Sequence, residues 1–185
     1  MTGKIKLYIG LLVLGVVLIG GGVWFLVNAP PAIDIPESDP VIAMNTLYTM
    51  RGERSQLAIY EDGTIICVED KGLRFPLPGN PATRTWKTGQ LQGGELNSLL
   101  EFFKDSRFAE LDDSYGWSSI PQSDLDCEIS VNYQGLVKNV RATGYLSTDG
   151  GMTYPDMPYP LNEIYRELKH IAENRTEEVR HEPLS

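Results

Sequence analysis

The run Gln56-Leu57-Ala58-Ile59-Tyr60-Glu61-Asp62-Gly63-Thr64-Ile65-Ile66-Cys67-Val68 decides the fold class. Asp62-Gly63 is a dipeptide whose two residues tolerate positive φ, so it closes a tight hairpin between strands at 56–60 and 64–68. With a two-residue turn, Leu57 and Ile59 share a face with Ile66 and Val68, and Ala58 and Tyr60 share the other with Ile65 and Cys67. The first set is the better core face. Cys67 then points away from the core unless a bulge intervenes.

Working outward from this hairpin, residues 75–81 form a Pro-rich connection, and Thr88-Gly89-Gln90-Leu91 leads to a helix start near Gly93 and Gly94. Leu96, Leu99, Leu100 and Phe103 recur at i, i+3, i+4 and i+7, one apolar stripe, with Glu95 suited to the positive end of the helix dipole. Phe108 and Leu111 are expected behind that stripe. A turn-rich loop at 112–126 precedes a second hairpin, in which Cys127, Ile129, Val131 and Tyr133 alternate with Glu128, Ser130 and Asn132. Gln134-Gly135 leads from it into 136–140. After an irregular stretch at 143–159, Pro160 suits a first helical turn, and Leu161, Ile164, Tyr165, Leu168, Ile171 and Ala172 mark one helical face. The expected fold class is α+β, two ββα units forming a four-stranded antiparallel sheet with two helices on one face.

Upstream, residues 7–27 carry no charge. At about 1.5 Å rise per residue this stretch makes a helix of roughly 32 Å, enough for a hydrocarbon core of about 30 Å. Lys4 and Lys6 precede it, whereas the following segment to Leu47 has no Lys or Arg and holds Asp34, Glu37 and Asp39. The positive-inside rule then places the N-terminus in the cytoplasm and the rest outside the cell membrane. A cleaved export signal is the competing reading, and its weakness is Pro30 directly after Val27-Asn28-Ala29. The domain order expected is a cytoplasmic start at 1–6, a single-pass transmembrane helix and signal anchor at 7–27, a Pro-rich linker at 28–44, an extracytoplasmic domain at 45–173 and a flexible tail at 174–185.

All 25 acidic residues but only 14 of the 16 basic ones follow Pro30, a net charge of −11. Such a field disfavours nucleic acid, which needs clustered Lys and Arg. The cytoplasmic membrane through residues 7–27 and an envelope protein or glycan are the expected partners. No cofactor is implied, and two cysteines with two distant histidines, His170 and His181, supply too few spaced ligands for a structural zinc. Cys67 and Cys127 are candidates for a disulfide in an oxidising compartment, against a reading as two small core residues.

Asp112, Asp113, Asp124 and Asp126 bracket one loop, and paired acids can perform general acid and base work when burial splits their pKa values. Their Ser, Gly and Gln neighbours favour solvated turn formers. A small envelope hydrolase using Asp124 or Asp126 is therefore the alternative to a noncatalytic binding domain, and an accessory subunit of a membrane complex is another. For binding, Tyr115 and Trp117 before the second hairpin and Tyr154 and Tyr159 after it are candidates for an apolar platform with polar tips facing a sugar or peptide.

The stretch Leu57 to Thr64, Thr88 to Leu91 with the Leu/Phe helix, Phe108 with Tyr115, Asp124 to Val131 and the Pro160-Leu161 helix resemble a group of uncharacterised prokaryotic extracytoplasmic domains. The resemblance covers residues 55 to 175. It implies attachment by a lipid or a single helix and no assigned activity, and this chain lacks the lipidated cysteine of the lipid-anchored versions.

Overall fold

The computed structural model describes residues 32–49, 51–73, 81–116, 125–146, 152–153 and 158–184. The first hairpin forms as β2 (Glu53–Ile59) and β3 (Thr64–Lys71), with a loop one residue longer than a two-residue turn. Tyr60 N donates to Thr64 O at 2.9 Å and Gly63 N to Tyr60 O at 2.9 Å. Gly63 takes φ +84 and supplies the bulge that ends such three-residue loops. One extra residue flips the parity of β3, so Leu57 pairs with Cys67 and Ile59 with Ile65. Ile65 and Cys67 therefore enter the core on the face of Leu57 and Ile59, and Ile66 and Val68 face the other way.

The second hairpin joins β6 (Leu125–Tyr133) to β7 (Leu136–Leu146) through Gln134 and Gly135, both at positive φ. Such a two-residue turn matches the right-handed strand twist. The two apolar periodicities become α1 (Glu95–Asp105) and α2 (Tyr159–Asn174). A 3-10 turn at Phe108–Glu110 follows α1 and brings Phe108 edge-on to Phe103, ring centroids 5.1 Å apart.

The four-stranded arrangement of two ββα units is corrected by the remaining strands. Those are β1 (Ile42–Tyr48), β4 (Thr83–Gln90), β5 (Ser114–Tyr115), β8 (Met152–Thr153) and β9 (Thr176–Pro183). Among the described residues, a mixed sheet runs β5-β7-β6-β1-β2-β3-β4-β9, with β8 paired to β7 off that path. The β5–β7 pair is parallel and its other neighbours are antiparallel. The domain is thus predominantly β rather than α+β. β1 begins inside the expected linker at 28–44, and β9 occupies the expected tail at 174–185.

The transmembrane helix expected at 7–27 lies outside the described residues. Among the described residues no helix is long and apolar enough to cross a membrane. The single-pass description therefore has no helix to carry it among the described residues.

Both helices bury their stripes in one cluster with Ile42, Leu57, Ile59, Ile65, Ile129 and Val140. At about 25 cal/mol per Å² of apolar surface removed from water, burial of that face is the main force holding helices to sheet.

Candidate functional site

Directly paired strand residues share a face, so the register maps the surface beneath α2 row by row. Ile42, Ile59 and Ile65 form a wholly apolar row, and the next runs Met44, Leu57, Cys67. A further step along the strands turns polar: Thr46 pairs with Ser55, Ser55 with Glu69, Glu69 with Thr85, and Thr85 with His181. The helix-facing surface is therefore apolar over the first two rows and polar over the third, from β1 across to β9. Where the C-terminal half of α2 overhangs this polar part, a cleft of about 380 Å³ opens. Thr46, Tyr48, Ser55, Glu69 and Lys71 line it from the sheet, and Tyr165, Lys169 and Glu173 from the helix.

Several of its polar groups are paired. Glu69 accepts from Lys87 Nζ at 2.5 Å and lies 3.9 Å from Lys71 Nζ. Lys169 and Glu173 stand 3.9 Å apart along α2. The hydroxyls of Tyr48 and Tyr165 meet at 3.1 Å. Burial, reinforced by that hydroxyl contact, pushes the Tyr165 phenol well above its ordinary range, so it stays protonated. Burial likewise raises the Cys67 thiol, against a weaker lowering by Ser55 Oγ at 3.9 Å. A protonated thiol is a poor nucleophile.

The opposite face carries a second network. Asp70, 2 % exposed, receives a bidentate contact from Arg84 Nε at 2.7 Å and Nη2 at 2.9 Å. Arg84 also sits over the Trp86 ring, 5.9 Å from its centroid, and Trp86 Nε1 donates to Glu182 at 3.1 Å. The Trp86 hydrogen bond is the main reason Glu182 is held below the usual carboxylate range, and Arg180 adds to it.

Of the four aromatic candidates, Trp117 and Tyr154 lie outside the described residues. Tyr115, in β5, packs half-buried against the core and accepts a hydrogen bond from Asp112 N at 2.8 Å. Tyr159 opens α2 and is 73 % exposed. Neither lines the cleft.

Cys67 and Cys127 are both buried and free. With β1 and β2 between their strands and their rows offset by two residues, they stand more than ~14 Å apart at ~4.8 Å per strand, against a Cα separation below about 7 Å for a disulfide. Asp126 accepts from Thr143 Oγ1 at 2.6 Å and Arg141 at 3.3 Å, and Asp113 pairs with Lys138 at 2.6 Å. Asp112 is exposed, and Asp124 lies outside the described residues. Among the described residues, no three His, Cys, Asp or Glu side chains gather as a metal-holding group.

Sequence reasoning missed the cleft. Its signal was the alternation Ile65, Cys67, Glu69, which turns polar on one face only once the bulge at Gly63 is counted. No known protein family, curated protein or solved structure matches this chain.

Proposed function

We infer that this chain is a noncatalytic binding module, working outside the cytoplasm, whose ligand seats in the cleft between α2 and strands β1 to β3. The observation that carries this reading is the cleft itself, concave, of about 380 Å³, and walled by hydroxyls and by charges of both signs on three strands and a helix. Small-molecule sites are typically concavities of about 300–1,000 Å³ with a few fixed polar groups. Glu69, Lys71, Lys169 and Glu173 are held in ion pairs and the Tyr165 phenol is kept protonated, an arrangement suited to recognition rather than to an activated nucleophile or base. The setting outside the cytoplasm is supported by sequence alone, by the uncharged stretch at 7–27 that follows Lys4 and Lys6.

The test is a thermal-shift and calorimetric screen of the full chain against envelope glycans and peptides, with each hit assayed for turnover. A saturable ligand that is recovered unchanged, and whose affinity falls about ten-fold in Lys71→Ala, is the expected result, since a hydrogen bond to a charged group contributes about 1.5–3 kcal/mol. Release of a reaction product from a hit overturns the noncatalytic reading.

A further inference from the structure

The charges that line the cleft do not cancel. Glu69 holds Lys87 at 2.5 Å, so Lys71, 3.9 Å from Glu69 and with a side chain 63 % exposed, keeps most of its positive field for the opening. Lys169 and Glu173 are also 3.9 Å apart and reached by water, a contact of the kind that contributes little. Arg51 and Glu53 line the cleft with no ion pair among the described residues. Arg54 and Asp70 pair in register on the opposite face, where Arg84 matches Asp70, so neither side chain stands in the rows that face α2. An entering ligand therefore meets Arg51, Lys71 and Lys169 against Glu53 and Glu173, one cation in excess, in a chain of net charge −9. Against that acidic background a local positive excess selects an anion. Its size selects further: one negative charge matches it, whereas a dianion brings surplus negative charge against Glu53 and Glu173.

The tyrosine pair points the same way. In the 3.1 Å contact between the Tyr48 and Tyr165 hydroxyls one proton bridges the two oxygens, and the other has no further acceptor among the described residues. Tyr165 is fully buried and Tyr48 half-buried, so donation by Tyr165 leaves the Tyr48 proton available to the cleft. An anionic oxygen is the stronger acceptor for such a proton.

We propose that the ligand of this cleft is a small monocarboxylate, drawn by Arg51, Lys71 and Lys169, with the Tyr48 hydroxyl as a donor to its carboxylate. The proposal rests on the reading of the cleft as a binding site. The polar remainder of the ligand lies along Thr46 and Ser55. Because the cations are reached by water, binding weakens as salt rises. Glu53 opposes the ligand, so removing its charge tightens binding.

The test is amide chemical-shift mapping on the isotope-labelled full chain. The probes are N-acetylated amino acids and uronic acids, each beside its neutral amide or neutral sugar counterpart, together with an alkylamine and inorganic phosphate. The expected result is saturable shifts at Arg51, Ser55, Lys71 and Lys169 with a monocarboxylate, and an affinity that falls about three-fold from low to high salt. Binding of the acylated amino acids identifies a peptide terminus as the source of the carboxylate, and binding of the uronates an acidic sugar. Lys71→Met and Arg51→Gln should each weaken binding about ten-fold, and Glu53→Gln should strengthen it about three-fold, with the spectrum outside the cleft unchanged. Equal binding of a neutral counterpart, tighter binding of the amine or of phosphate, or weaker binding in Glu53→Gln overturns the monocarboxylate proposal and leaves the binding reading standing. No cleft shift with any probe overturns both.

Discussion

At the residue scale, the most exacting electrostatic arrangement is the Asp70–Arg84 pair. Asp70 is buried and Arg84 is 31 % exposed, so the carboxylate depends on a guanidinium that water still reaches. Removing one partner of a fully buried pair costs about 3–5 kcal/mol, because an uncompensated charge remains. With solvent screening at Arg84, Arg84→Met is expected to cost about 2 kcal/mol, read from the urea midpoint at unchanged slope. Glu182 and Asp62 titrate below their ordinary range, Glu182 chiefly through Trp86 and Asp62 through the backbone N–H of Thr64. A carboxyl depressed by folding stabilises the native state above its unfolded pKa of about 4, and that contribution disappears as pH falls through the lower folded value. In Trp86→Phe the carboxyl of Glu182 should titrate higher, toward its unfolded value, in a carbon-detected NMR titration. An unchanged Glu182 curve would show that Trp86 is not the main cause.

At the element scale, the molecule turns on two glycines at the same end of the β3–β4 pair. Gly63 fixes the bulge that sets the parity of β3. Gly89, in β4, faces Thr176 at the start of β9, and a Cβ there would lie 1.9 Å from the backbone oxygen of Arg175. Helix α2 ends at Asn174 and β9 begins at Thr176, so this close approach lets the chain pass directly from helix to edge strand. Gly89→Ala should therefore push β9 off β4 while leaving the α2 core in place. Hydrogen exchange is the measurement: amides of 176–183 should lose protection selectively, and uniform protection would refute the role given to Gly89. β9 itself has one apolar residue between its termini, Val179, and is held by ladder bonds, by Thr85 Oγ1 to His181 Nδ1 at 2.9 Å and by Trp86 to Glu182. A segment stabilised by backbone pairing leaves no hydrophobic period to read, so it looks like a charged tail in sequence. β4, Thr-Arg-Thr-Trp-Lys-Thr-Gly-Gln, is similar: its Thr and Trp have strand propensity, but polar residues occupy both faces.

At the scale of the whole molecule, Cys67 and Cys127 sit in one core beneath both helices, so their thiols report global unfolding. Burial raises both above the ordinary thiol range. In an alkylation assay at pH 8 the folded protein should react at neither thiol, and two should react after denaturation, with identical mobility on reducing and nonreducing gels. Fast labelling of one thiol in the native protein would show a local opening near its strand. The amphipathic stripes of α1 and α2, the two hairpins and their turns were legible because each writes its burial into a local period of 3.6 or 2. The cleft was not, because it depends on which rows of β1, β2 and β3 lie under a helix that ends partway across them. By itself the sequence determined these local elements, the acidic surface and the uncharged stretch at 7–27. Only the tertiary structure decided the parity of β3, the recruitment of β1, β4 and β9, and the polar cleft under α2, since one bulge residue and long-range backbone pairing leave no mark in side-chain periodicity.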